Sequence, residues 1–175
     1  MRLLTFLLMI CLAMAGCTSD ENSDYDGDEA ELPANMPDDF EFSYQYGYEA
    51  NNEMNTFEEI YTKDLIEKGE ASTAMALSED DRVSIYEKMR DVKILETPEN
   101  LTNEAEDGTH CTSNPYTTHH LDLQVNGENY YVDWTTNNCL TEDLIKLTDF
   151  TDYVHEVFTS QEAYRALPNA EGSYE

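Results

Sequence analysis

Between Phe40 and Tyr48 every second residue is aromatic: Phe40, Phe42, Tyr44, Tyr46 and Tyr48 alternate with Glu41, Ser43, Gln45 and Gly47. A period of two places one set of side chains on one face of an extended strand. Thr56–Ile66 predicts a second strand of poorer alternation, Glu67-Lys68-Gly69-Glu70 a turn, and Ala71–Leu77 a third strand. The period then changes. Ile85, Met89 and Val92 fall at i, i+4 and i+7, with Val83 and Tyr86 alongside, the apolar stripe of a helix packed on a core. Ser78 caps its start, and Glu79, Asp80 and Asp81 suit the positive end of the helix dipole. Pro98 and the polar run from Glu99 to Asp107 close this unit.

The second unit is a hairpin and a helix. Asn126-Gly127 lies between two alternating runs, a strong short-range hairpin signal. A two-residue turn pairs Val125 with Glu128, and the register then sets Leu123 against Tyr130, Leu121 against Val132 and His119 against Trp134. The other face pairs Gln124 with Asn129, Asp122 with Tyr131 and His120 with Asp133. Both strands put their apolar residues on the same side, which supports this register independently. Thr141-Glu142-Asp143 caps a last helix striped by Leu144, Leu147, Phe150 or Thr151, Val154 and Phe158, with Ile145 and Val157 widening the stripe, before a coda broken by Pro168 and Gly172. The order strand unit, helix, hairpin, helix predicts an α+β domain: a small antiparallel sheet of four to five strands with two helices packed on one face.

Upstream of Phe40 the chain reads differently. Thr18–Asp39 is acidic, contains Gly27, Pro33 and Pro37, and holds few large apolar residues, the composition of a disordered tether with a reach of about 70 Å at full extension. Asp24-Tyr25-Asp26-Gly27-Asp28 lacks the spacing of an EF-hand loop, since Gly27 comes too early and Asn35 stands where a glutamate is needed. Residues 1–16 have the build of a secretory signal: Met1-Arg2, an apolar run from Leu3 to Ala15 too short to span a membrane comfortably, and a small residue. The domains are therefore a signal segment 1–16, a tether 17–39 and one folded domain 40–175.

Charge and cysteines narrow the setting. Nine Lys+Arg face 38 Asp+Glu, a formal charge of −29, which repels nucleic acid and anionic lipid. It reads either as a surface adapted to a saline or alkaline medium or as a carboxylate-rich surface that responds to divalent cations. Of four cysteines, Cys11 leaves with the signal and Cys17 opens the segment that follows it, so Cys111 and Cys139 are the expected disulfide pair in an oxidising compartment. The competing reading, zinc held with His110, His119 or His120, lacks a C-x-x-C spacing, so no metal site is assigned.

Met14-Ala15-Gly16-Cys17 resembles the lipobox of bacterial lipoproteins. That resemblance implies cleavage before Cys17 and lipidation of its thiol, hence a membrane-held protein facing away from the cytoplasm. The stretches FSYQYGYEANNEMNTFEEIYTKDLI, WTTNNC and RALPNAEGSY are similar to segments of uncharacterised small lipoproteins of Bacillus-type bacteria, a resemblance that implies no functional residues.

Candidate chemistry is sparse. His120 opposite Asp133 is the most suggestive pair, either half of an acid–base set or an ordinary cross-strand pair on a solvated face. His119, facing Trp134, reads as a packed and satisfied core histidine. The aromatic stripe Phe40–Tyr48 reads as a buried face under a helix, with a glycan-stacking platform as the alternative. The sequence contains no G-x-S-x-G, no H-E-x-x-H and no glycine-rich phosphate loop. The expected function is a lipid-anchored, non-enzymatic binding or accessory protein without a cofactor, partnered by the membrane and by an envelope protein or glycan. The alternatives are a small wall-acting hydrolase using His120 and Asp133, and a divalent-cation-responsive surface protein.

Overall fold

A computed structural model of the chain describes residues 31–98, 101, 103–105 and 107–174. The signal segment, Cys17 and the tether up to residue 30 lie outside them. The domain is α+β, a six-stranded, wholly antiparallel sheet with its helices on one face. The strands are β1 (Glu41–Gly47), β2 (Asn52–Asn55), β3 (Ile60–Asp64), β4 (Glu70–Ala74), β5 (Thr118–Val125) and β6 (Glu128–Thr135). The helices are α1 (Glu79–Asp91), α2 (Glu142–Ser160) and the short α3 (Glu162–Ala166). The spatial order β4-β3-β2-β1-β5-β6 places β1 at the seam between the two sequence units.

The β5–β6 register is the expected one at every pair from Thr118↔Thr135 to Val125↔Glu128. Asn126 and Gly127 both take positive φ, 53° and 78°, as the tight turn requires. The aromatic stripe of β1 is buried: Phe40, Phe42, Tyr44 and Tyr46 lie in the core, whereas Tyr48 leaves the strand in a 3-10 turn and stacks on Tyr174 at 3.9 Å. The platform reading therefore falls for those four rings, because α1 and α2 cover them. Phe40 meets Tyr86 of α1 edge-on at 4.9 Å, and Tyr44 meets Phe150 of α2 at 5.6 Å. Ser78 Oγ accepts from the Asp81 amide at 3.1 Å, and Thr141 Oγ1 accepts from the Leu144 amide at 3.2 Å, so both helices start at their expected caps.

Two expectations are corrected. The single strand expected over Thr56–Ile66 is a turn followed by β3, with β2 before it, and the sheet has six strands rather than four or five. β2 escapes notice because Asn52-Glu53-Met54-Asn55 contains one apolar residue, Met54, which is fully buried. The expectation of a disordered tether through Asp39 is corrected for residues 31–39, which pack on the domain. Leu32 joins the core, the Pro33 carbonyl accepts from Tyr86 Oη at 2.8 Å, and the Ala34 carbonyl accepts from Arg90 at 3.0 Å. Two apolar side chains, Leu32 and Met36, and a pair of main-chain carbonyls suffice where composition alone argues for disorder.

Asp39 ties this segment to the hairpin tip. Its carboxylate accepts from the Asn126 amide at 2.9 Å and the Gly127 amide at 2.5 Å. These are charge-assisted bonds to donors that a tight turn leaves pointing outward. Asp39→Ala is expected to lower stability by about 1–2 kcal/mol. Urea unfolding checks this, and an unchanged midpoint would show that the turn holds without its carboxylate.

Candidate functional site

Helices cover one face of the sheet; the other face is uncovered by any helix or strand of the described residues. The registers line up Ser72, Thr62, Glu53, Gln45, His120 and Asp133 across all six strands on this face. The next row runs Ala74, Ile60, Asn55, Ser43, Asp122 and Tyr131. Short side-chain bonds lace the rows: Ser43 Oγ donates to Glu53 Oε1 at 2.7 Å, Asn55 Nδ2 donates to the same oxygen at 3.2 Å, and the Thr62 and Ser72 hydroxyls meet at 2.9 Å. A shallow depression at the β5–β6 end is lined by Ser43, Gln45, His120, Asp122, Tyr131 and Asp133.

Within it His120 Nδ1 and Asp133 Oδ1 stand 2.7 Å apart, as the register requires. Their side chains are 44% and 72% exposed, so the pair stands in water and contributes well under about 1 kcal/mol. Neighbouring Asp122 is pushed above the usual carboxylate range by partial burial, then by the negative charges of Asp133 and Glu53, with His120 opposing. The depression is an anionic surface with one imidazole. Ser43, the hydroxyl nearest to hand, is already committed to Glu53.

The other histidine of the hairpin faces inward. His119 stacks on Trp134 with ring centroids 4.8 Å apart and planes 3° from parallel. Both its nitrogens are bonded, Nδ1 to Tyr44 Oη and Nε2 to Thr117 Oγ1, each at 2.8 Å. The chain of hydroxyls fixes the tautomer. Thr151 Oγ1 donates to the Leu147 carbonyl at 2.9 Å, so it accepts from Tyr44 Oη at 3.0 Å. Tyr44, having spent its one proton, accepts from His119 Nδ1–H, which leaves Nε2 as the acceptor for the Thr117 hydroxyl. Burial, with His120 adding to it, holds this imidazole down at about 4. It is a neutral strut in the core. His155 of α2, beside Tyr46, is likewise held below its ordinary value by partial desolvation, with the Asp152 charge opposing.

Cys111 and Cys139 form a disulfide, S–S 2.02 Å, so their sulfurs are not free for a metal. Among the described residues no three His, Cys, Asp or Glu side chains converge to hold a metal ion, and no helix is long and apolar enough to cross a membrane. What sequence reasoning missed is the open face as a unit. Its polar positions are visible strand by strand, as Ser43 and Gln45 or His120 and Asp122, but nothing local says that β1 lies beside β5 and joins the rows. No known protein family profile matches the chain, and no curated protein is similar enough to it to register as a match.

Proposed function

We propose that this chain is a lipid-anchored extracytoplasmic protein, held at a membrane through Cys17, whose folded domain acts by binding. The observation that carries the reading is the Cys111–Cys139 disulfide, since these are the two cysteines left once the leader and Cys17 are set aside, and such bonds persist outside reducing cytoplasm. The open sheet face supports binding over catalysis. Its most reactive pair, His120 with Asp133, stands in water rather than in an enclosed site where charges gain strength. Two or three acyl chains on Cys17 would hold the protein stably, where one would not. Because residues 31–39 pack on the domain, the reach from the lipid falls to about 45 Å at full extension.

The test is Cys17→Ser with metabolic fatty-acid labelling and cell fractionation. The expected result is loss of label, together with release from membranes or accumulation of an uncut precursor. Unchanged processing and labelling would overturn the anchor.

A further inference from the structure

We propose that the outer edge of β6, unpaired among the described residues, is a docking strand for an extended peptide with lysine or arginine at alternate positions and apolar residues between them. The inference goes beyond the anchoring reading and does not rest on it. β6 ends the sheet, and its eight residues ENYYVDWT contain no proline or lysine, the usual means of blunting an edge. The two-residue turn makes Val125 and Glu128 the closing hydrogen-bonded pair, so hydrogen-bonded and open pairs alternate from there. Asn129, Tyr131, Asp133 and Thr135 therefore direct their N–H and C=O groups away from β5. The described residues supply these groups with no main-chain partner. An added strand would take them up.

Side chains on the two flanks of that edge set the sequence it fits. On the open face stand Tyr131, 72% exposed, with Asp133 beside it along the strand and Asp122 across from it. Among the described residues no lysine or arginine occupies an outward position of any strand, and the registers set one imidazole, His120, among the carboxylates Glu53, Asp122 and Asp133. The partial burial and mutual repulsion that push Asp122 up are the marks of a field lacking its cation. Alternate side chains of an added strand would lie over this surface, where an ammonium or guanidinium meets carboxylates and the Tyr131 ring. The intervening side chains would enter the groove on the helix side, lined by Leu95, Thr97, Pro98, Tyr130 and Val132. A second copy of this chain fits badly, since it would bring its own Glu128 and Asp133 to the edge and a formal charge of −29.

The test uses the full chain, purified from whichever cell fraction holds it, so that failure of the anchor does not decide the outcome. The probe is a blocked peptide of alternating Lys and Val, about eight residues long to match the strand. Titration calorimetry measures binding, and hydrogen exchange locates it. Saturable binding is expected, with added protection at Asn129, Tyr131, Asp133 and Thr135. Asp133→Lys should weaken binding at least about tenfold, and rising salt should weaken it further. Tyr131→Pro removes an outward N–H and should abolish binding while β5 pairing survives. Should that variant fail to fold, the Lys–Val peptide methylated on alternate amide nitrogens probes the same bonds and should not bind. Equal binding of the methylated peptide, or of a Glu–Val peptide, would overturn the proposal. So would a neutral oligosaccharide protecting these residues when the Lys–Val peptide does not.

Discussion

Removing the disulfide by Cys111→Ser with Cys139→Ala is expected to lower stability by about 3–4 kcal/mol, the cost of freeing a loop of this length in the unfolded chain. The sequence separation is 28 and the Cα atoms are 5.0 Å apart. The loop it closes contains the whole β5–β6 hairpin and ends just before the Thr141 cap of α2. Alanine is chosen at 139 because Cys139 is buried, and a hydroxyl there would add a cost of its own. The hairpin end beside the bridge has bonds of its own, such as the Thr117 amide donating to Thr136 Oγ1 at 2.8 Å, and these do not depend on the sulfurs. The loss therefore falls on the unfolded side, which expands. Urea unfolding should show a lower midpoint and a steeper dependence on denaturant. Equal midpoints would mean that the bridge constrains nothing the hairpin does not already hold. Mass spectrometry of the intact parent should find no alkylatable thiol at either position.

Acid is expected to cost the fold about 3 kcal/mol through His119 alone. Its folded value is about 4, below the ordinary value of about 6.5 that it regains on unfolding. Between these limits the unfolded chain binds the extra proton, so stability rises with pH there. The contribution is complete above about pH 6.5, is lost as pH falls, and is exhausted near the folded value. A second reason lies in the hydroxyl chain, since a proton on Nε2 would meet the Thr117 O–H head-on unless that hydroxyl turned away. Acidification also relaxes the self-repulsion of a chain at −29, an effect of opposite sign. His119→Gln separates the two, for glutamine keeps one donor and one acceptor without titrating. The stability gap between parent and variant should shrink by about 3 kcal/mol from pH 7.5 to pH 4. Parallel stability–pH curves would remove His119 as the acid-sensitive group.

Much of the fold is legible because its signals are short-range. Asn126-Gly127 sets eight cross-strand pairs by turn geometry alone. Ser78 and Thr141 announce their helices because a cap acts within three residues. β2 is illegible for the converse reason: a four-residue strand with one buried side chain carries too little pattern to separate it from a loop. The packing of residues 31–39 is hidden in the same way, since beside Leu32 and Met36 their hold is made by main-chain carbonyls and by Asp39, and composition does not register carbonyls. Of the candidate site, the His120–Asp133 pair is readable as a hairpin neighbour, whereas the faces it shares with Ser43, Gln45 and Glu53 are not.

By itself the sequence determines the α+β class, the hairpin register and the starts of both long helices. Each rests on turn chemistry or periodicity within one segment. Only the tertiary structure decides that β1 pairs with β5, joining Phe42 to Leu123, Tyr44 to Leu121 and Tyr46 to His119. That one contact lays a polar row across six strands, buries His119 as a neutral strut and leaves β6 as the last strand of the sheet. The physical reason is range. Several strands offer an equivalent apolar face, and the choice among them follows from how all the side chains share one core beneath α1 and α2.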